Sequence, residues 1–145
     1  MWGGNIIRYT DEVDKIKPEN LKGFFVGWPN LPSPERHLEI LKNSEYVMLA
    51  IDEDTGNVVG FINALSDEIL YAYIPLLEVL PEYQGKGIGT KLVNLMLEKL
   101  KNYYAIDICC DEELEPFYKR FGFQRVAGMI KRDHEKQNGR ATHSA

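Results

Sequence analysis

Cysteine is nearly absent: the chain has two, Cys109 and Cys110, and they are neighbours. Adjacent thiols cannot staple distant segments, so no disulfide framework of the secreted kind is expected and the chain reads as a protein of a reducing, cytoplasmic compartment. They are not expected to hold a metal either, because neighbouring strand residues point to opposite faces. No apolar run approaches the roughly 20 residues that span a bilayer. Met1, Trp2, Gly3, Gly4 and Asn5 lack the charged and apolar regions of a signal peptide. No membrane partner is therefore expected. Cations are also in deficit, with 17 Lys plus Arg against 22 Asp plus Glu and a net charge of −5. The lack of a long basic block argues against general nucleic-acid binding, which depends on neutralising many phosphates, while a local basic spot is still allowed.

What is present suits one folded domain. At 145 residues, 44% hydrophobic, 27% charged and 11% aromatic, the chain has apolar material for a packed core. Residues 6–9 read as a short strand, and 17–21 open a helical stretch with Pro18 in its first turn. Ser33, Pro34 and Glu35 form an N-cap, a first-turn proline and an early carboxylate, starting a helix that fades near Asn43. Residues 46–51 and 58–62 are strands joined into a hairpin by the turn formers of 52–57. A longer apolar segment, 69–80, carries Pro75 in its interior. Proline cannot donate a ladder hydrogen bond, so a bulge or a locally unpaired edge is expected there.

Ile88, Leu92, Leu95, Met96, Leu100 and Tyr103 recur at helical spacing. Residues 105–110 then read as a strand, 113–121 as a short helix closed by Gly122, and 123–130 as a final strand. The order β-α-α-β-β-β-α-β-α-β predicts an α/β fold with a mixed sheet flanked by helices, parallel only in the late βαβ unit. The domain is expected to occupy residues 1–130, with 131–145 a polar, flexible tail. His134 and His143 lie in that tail, which argues against a catalytic role for either.

The chemistry concentrates between the long strand and the clearest helix. Gln84, Gly85, Lys86, Gly87, Ile88, Gly89 and Thr90 place three glycines in five residues at a helix start. Without Cβ atoms the backbone can turn tightly and approach a ligand, and the unpaired amides of Gly87, Ile88, Gly89 and Thr90 then face it; phosphate is the natural occupant, and Lys86 adds a cation. A sharp turn with no ligand is the plainer reading. The Walker spacing is missing, and G-x-G-x-G fails the dinucleotide fingerprint. Too little chain follows to build a doubly wound sheet.

Leu77-Glu78-Val79-Leu80-Pro81-Glu82-Tyr83-Gln84-Gly85-Lys86-Gly87-Ile88-Gly89 resembles the acetyl-coenzyme A loop of the GNAT superfamily of N-acetyltransferases, whose signature is Q/R-x-x-G-x-G/A. Downstream, Glu115-Pro116-Phe117-Tyr118-Lys119-Arg120-Phe121-Gly122-Phe123 is similar to the family's F-Y-x-x-x-G-F segment, above all to that of arylalkylamine N-acetyltransferases. The element order over residues 6–130 also fits the family fold, with its splayed central strands.

The resemblance implies an acetyl-CoA-dependent N-acetyltransferase whose acceptor is a primary amine, a small molecule rather than a protein, with direct attack and no covalent enzyme intermediate. It implies that the pantetheine arm bonds to backbone at Leu77 to Val79, that the Val79 amide stabilises the oxyanion, and that the pyrophosphate sits on Gly85 to Thr90. It implies Tyr118 as general acid to the departing thiolate; the alternative is a packing aromatic. Glu78 is the first candidate for the base, because a carboxylate inside that strand needs a wet cleft or a partner; it reads equally as a paired side chain. Family members that carry the base earlier on this strand would place it at Tyr73 or Pro75, and neither is a conventional base.

Asp111 is a candidate for placing the pantetheine arm. With Glu112 and Glu113 it forms an acidic cluster that could attract a cationic amine or simply favour a helix start. Phe24, Phe25 and Trp28 either line the acceptor pocket or belong to the core. A CoA-binding sensor without transferase activity and a protein-lysine acetyltransferase are the rival readings. The chain is expected to be a monomer or homodimer.

Overall fold

The computed structural model describes residues 5–139. Five strands form one sheet in sequence order: β1 (Ile7–Thr10), β2 (Tyr46–Asp52), β3 (Val58–Ser66), β4 (Tyr71–Val79) and β5 (Ala105–Ile108). The first four pair antiparallel, and β4 and β5 pair in parallel across the connection through helix α2 (Ile88–Lys99). Two further helices, α1 (Pro34–Lys42) and α3 (Glu115–Lys119), complete the α/β architecture.

The two faces of the sheet have separate cores, as strand alternation requires. Ile88, Leu92, Val93, Met96 and Leu100 of the α2 region pack on Met48, Ala50, Val59, Ile62, Ala64, Ala72 and Ile74. On the opposite face Leu41 of α1, with Ile16, Leu21, Phe24 and Phe25, packs on Val47, Leu49, Ile51, Val58 and Phe61. Phe24 and Phe25 are therefore core residues, each 3% exposed, while Trp28 packs against them from the edge. Helix α1 starts as its sequence dictates, with the Ser33 hydroxyl accepting the Arg36 N–H at 3.1 Å and Pro34 in the first turn.

Pro75 interrupts β4 as expected. Asn63 faces Leu76 and Leu65 faces Tyr73, so β4 spends one more residue than β3 around Ala64. Pairing with β5 covers Tyr71 to Ile74 and stops there. Above Pro75 the two parallel strands no longer pair.

Three expectations need correction. Residues 123–130 form no strand: Val126 is 82% and Met129 fully exposed, Gly128 interrupts the alternation, and Arg125 is drawn back to Glu115 of α3 at 2.9 Å. An alternating pattern makes a strand only where one face is buried, and nothing covers this one. Strand β5 ends at Ile108, so Cys109 and Cys110 are exposed residues beyond the strand. The stretch around Pro18 makes only a 3-10 turn, Pro18–Leu21. Residues 140–145, with His143 and the end of the expected tail, lie outside the described residues; residues 131–139 include the 3-10 turn His134–Lys136. Among the described residues no helix is long and apolar enough to cross a membrane.

The α1-side core also encloses His37, 1% exposed, among the rings of Phe24, Phe25 and Phe61, whose centroids lie 4.5 to 5.4 Å away. Neither ring nitrogen has a hydrogen-bond partner, and burial pushes the imidazole down to about 4. A histidine kept neutral by folding takes up its proton more readily when unfolded, at about pH 6.5. Its contribution is thus intact above that pH and is lost as pH falls toward 4, on the order of 2 kcal/mol between pH 7 and pH 5. His37→Phe should flatten the acid limb of stability; denaturant titrations of both proteins at pH 7 and pH 5 check this, and parallel losses would contradict it.

Candidate active site

The site is built around the opening above Pro75. The Leu80 amide donates to the Val59 carbonyl at 2.8 Å, which fixes the direction of each backbone group along β4. Alternation then sends the Glu78 amide to β3 as well, and turns the amides of Leu77 and Val79 the other way, toward the side that β5 has left. Backbone donors without a strand partner are rare inside a fold, because each unpaired buried group costs free energy. Here they border the gap between β4 and β5.

The glycine loop stands at the upper end of that gap. Gly85 and Gly87 take left-handed backbone angles, φ +76° and +83°, and a Cβ added at either would meet nothing within 4 Å. Gly87 is the N-cap of α2 and offers no side chain to the first amides of the helix. The Ile88 side chain is buried against Gly60, so only its backbone faces outward. At Gly89 an added Cβ would lie 3.8 Å from Phe117 and 3.9 Å from Val79, which brings the loop, α3 and β4 to one point. Gln84 turns back, its side-chain amide donating to the Val79 carbonyl at 2.9 Å and bracing the loop on β4. An open cradle of amides with a cation beside it fits a diphosphate.

Two residues that the sequence reading passed over support this loop. Asp52, fully buried at the end of β2, accepts hydrogen bonds from the Tyr83 hydroxyl and from Asn5, and from the Asp54 amide at 2.9 Å. The Tyr83 hydrogen bond holds the Asp52 carboxyl below the usual carboxylate range. The Tyr83 ring in turn carries the Lys86 ammonium 5.5 Å from its centroid. Asp52 and Tyr83 are 31 positions apart, so no local spacing could have exposed the pair.

Tyr118 lies on α3, half-buried between the rings of Phe117 and Phe123, 4.9 and 5.9 Å away. Burial, and secondarily the charge of the nearby Cys110 thiol, pushes its phenol up to about 12. Glu78 faces the α1 side, between Leu76 and Leu80, which pack in that core. Its two oxygens accept the Phe25 and Val26 amides at 2.8 and 3.2 Å. Phe25 sits at φ +63°, a conformation unusual for a bulky residue, and Glu78 is one of the groups that hold it there. Asp111 is exposed, and its main-chain oxygen accepts the Leu114 amide at 2.9 Å. The structure thus sets the Leu77 and Val79 amides beside the gap, with the glycine loop and Gln84 at its upper end, and places Glu78 on the α1 face of β4 and Tyr118 on α3.

Residues 13–123 match the profile of the Acetyltransferase (GNAT) family. The chain belongs to that family. A Deinococcus radiodurans R1 protein assigned as an acetyltransferase superposes with a TM-score of 0.90 at 40% identity, covering 94% of both chains. A GNAT-family acetyltransferase from Streptococcus pneumoniae TIGR4 gives 0.69 at 30% identity over 88% of this chain and 97% of that one. N-alpha-acetyltransferase 30 of Schizosaccharomyces pombe is 34% identical over 94 residues, 60% of this chain and 63% of that protein. GCN5-related N-acetyltransferase 3, chloroplastic, of Arabidopsis thaliana is 43% identical over 70 residues, 47% of this chain and 30% of that protein. The chain spans less than two thirds of the length of these two curated relatives.

The Asp52–Tyr83–Lys86 chain makes a separable prediction. Tyr83→Phe should weaken CoA binding about fivefold, the equivalent of roughly 1 kcal/mol. Lys86→Ala should weaken it too, with less than additive loss in the double variant. Calorimetry checks this; additive losses would mean that Tyr83 does not act through Lys86.

Proposed function

We propose that the protein acetylates a primary amine on a small molecule, with acetyl-CoA as donor, by direct attack of the amine. The observation that carries this reading is the free edge of β4, with the Leu77 and Val79 amides turned into a cleft below the glycine loop. Bound acetyl-CoA supplies the activated acyl thioester. The amides of Gly87 to Thr90 and the Lys86 ammonium hold the diphosphate, and Leu77 and Val79 hold the pantetheine arm. Leu77, closer to the split at Pro75, is the better donor to the thioester carbonyl oxygen, one donor further down the strand than Val79. Asp111, beyond the end of β5, helps to place the pantetheine arm.

Glu78 takes the amine proton. Its carboxylate already accepts two amides but has about four lone-pair sites in all, so it has room for a third bond, made directly or through water. The new bond joins amine nitrogen to acyl carbon, the carbon–sulfur bond breaks, the nitrogen proton passes to Glu78 and on to solvent, and the sulfur leaves as a thiolate that takes its proton from solvent. Tyr118 donates to that sulfur. At about 12 its phenol is a weaker acid than a thiol at about 8.5, so it stabilises the departing thiolate chiefly by hydrogen bonding. The same shift keeps Tyr118 protonated throughout the physiological range. The exposed free thiols of Cys109 and Cys110 suit a reducing compartment.

The name of the Schizosaccharomyces pombe relative points to protein N-termini, which makes a protein acceptor the second reading. Free-thiol release with a panel of amines separates transfer from simple CoA binding: CoA bound with no release by any amine would leave a sensor. Tyr118→Phe should lower kcat by about a hundredfold or more while leaving acetyl-CoA affinity nearly unchanged. In the wild type, loss of rate from Tyr118 ionisation should begin only as pH rises toward 12. A kcat in Tyr118→Phe equal to that of the wild type across a pH series would remove Tyr118 from its role. Gly87→Glu with Gly89→Glu should abolish CoA binding by calorimetry, and equal affinity would reject the phosphate cradle.

A further inference from the structure

Beyond α3 the chain leaves the sheet and crosses to the α1 side, where Asn30 and Arg36 hold it. Arg132 lies near Tyr73, close enough for its charge to act on the phenol. Further on, Asn30 makes three hydrogen bonds to the 3-10 turn His134–Lys136 and its flank. Its amide donates to the Gln137 side chain at 3.0 Å, and its side chain donates to the His134 and Glu135 carbonyls, both at 3.2 Å. Gly139 then packs under the Arg36 stem, where an added Cβ would come within 2.9 Å of Arg36 Cγ.

These anchors bracket one area of the sheet. Ala72 and Ile74 pack toward α2, so Tyr73 between them faces the α1 side. Leu76 and Glu78 follow on that face, and Glu78 grips the Phe25–Val26 end of the loop that carries Asn30 at its other end. Tyr73, Arg132, the tail, Asn30, the aromatic loop and Glu78 thus lie in a ring around the face of β4 beside the split. The opposite face is filled by α2 and α3. An amine bound for the cleft has this ring as its entrance.

We propose that residues 132–139 are a wall of the acceptor site that restricts the acceptor to small primary amines, with Asn30 as the latch that holds the wall in place. The inference rests on the acetyl-transfer reading and adds the element that sets its acceptor class. A peptide running past the cleft on both sides of its lysine needs a groove open at both ends, and the strap closes one of them. A compact amine passes through the ring end-on.

The test uses the full chain, with Asn30→Ala and with Asn30→Ala combined with Gln137→Ala. Neither residue belongs to the proposed catalytic or CoA-binding groups. Thiol release is followed with small alkyl and aryl amines and with a short peptide carrying an internal lysine, alongside amide exchange at residues 134–139. The expected result is exchange faster by about tenfold per net hydrogen bond lost. The peptide should gain kcat/KM relative to the small amines, and the KM for acetyl-CoA should not move. Unchanged exchange overturns the latch. Faster exchange with unchanged selectivity overturns the wall, as does a wild type that already prefers the peptide. Thiol release from no protein with any acceptor overturns the acetyl-transfer reading and this inference with it.

Discussion

One backbone fact organises the molecule: β4 and β5 pair for four residues and then part at Pro75. A sheet normally pairs its inner strands along their length, because unpaired main-chain groups are costly when buried and invite association when exposed. Here the upper half of β4 is paired on one side only. Leu77 and Val79 are left with donors aimed at the gap, and the glycine loop, Gln84 and α3 are arranged around it. The proline is suited to the switch, since it removes a ladder donor where the ladder stops.

The two faces of the sheet divide the work. Helix α2 packs one face with Ile88, Leu92, Val93 and Met96, and that packing fixes the helix whose first amides border the cleft. The other face carries the aromatic loop. Phe25 is held in its unusual backbone conformation by the Glu78 carboxylate and by the rings of His37, Trp28 and Phe61. Glu78 therefore has a structural task in addition to the chemistry proposed for it, and replacing it disturbs both. A clean measurement of its role as a base requires that the loop stay in place.

Features with local physical causes were legible in the sequence. The helical spacing of Ile88, Leu92 and Met96, the cap at Ser33, the glycine loop and the interruption at Pro75 all appear in the structure, since each follows from one residue type acting on its own backbone. Features that depend on distant partners were hidden. The 123–130 stretch has the alternation of a strand but finds no neighbour, and the cysteines fall just past a strand shorter than its sequence suggested. Asp52 read as a turn former, although it is a buried carboxylate holding Tyr83. Asn30 drew no functional reading from its sequence, although it receives the chain more than a hundred residues further on. Propensity and periodicity report what a segment prefers, and these outcomes were decided by what lay opposite.

The central claim is that the Leu77 and Val79 amides are free for a ligand. Amide hydrogen exchange resolved to single residues, with and without acetyl-CoA, tests it most directly. Both amides should exchange much faster than that of Glu78, which is paired to β3, and should become protected when acetyl-CoA is added. If they are already as protected as Glu78 in the free protein, or remain unprotected at saturating acetyl-CoA, the account of the open strand is wrong.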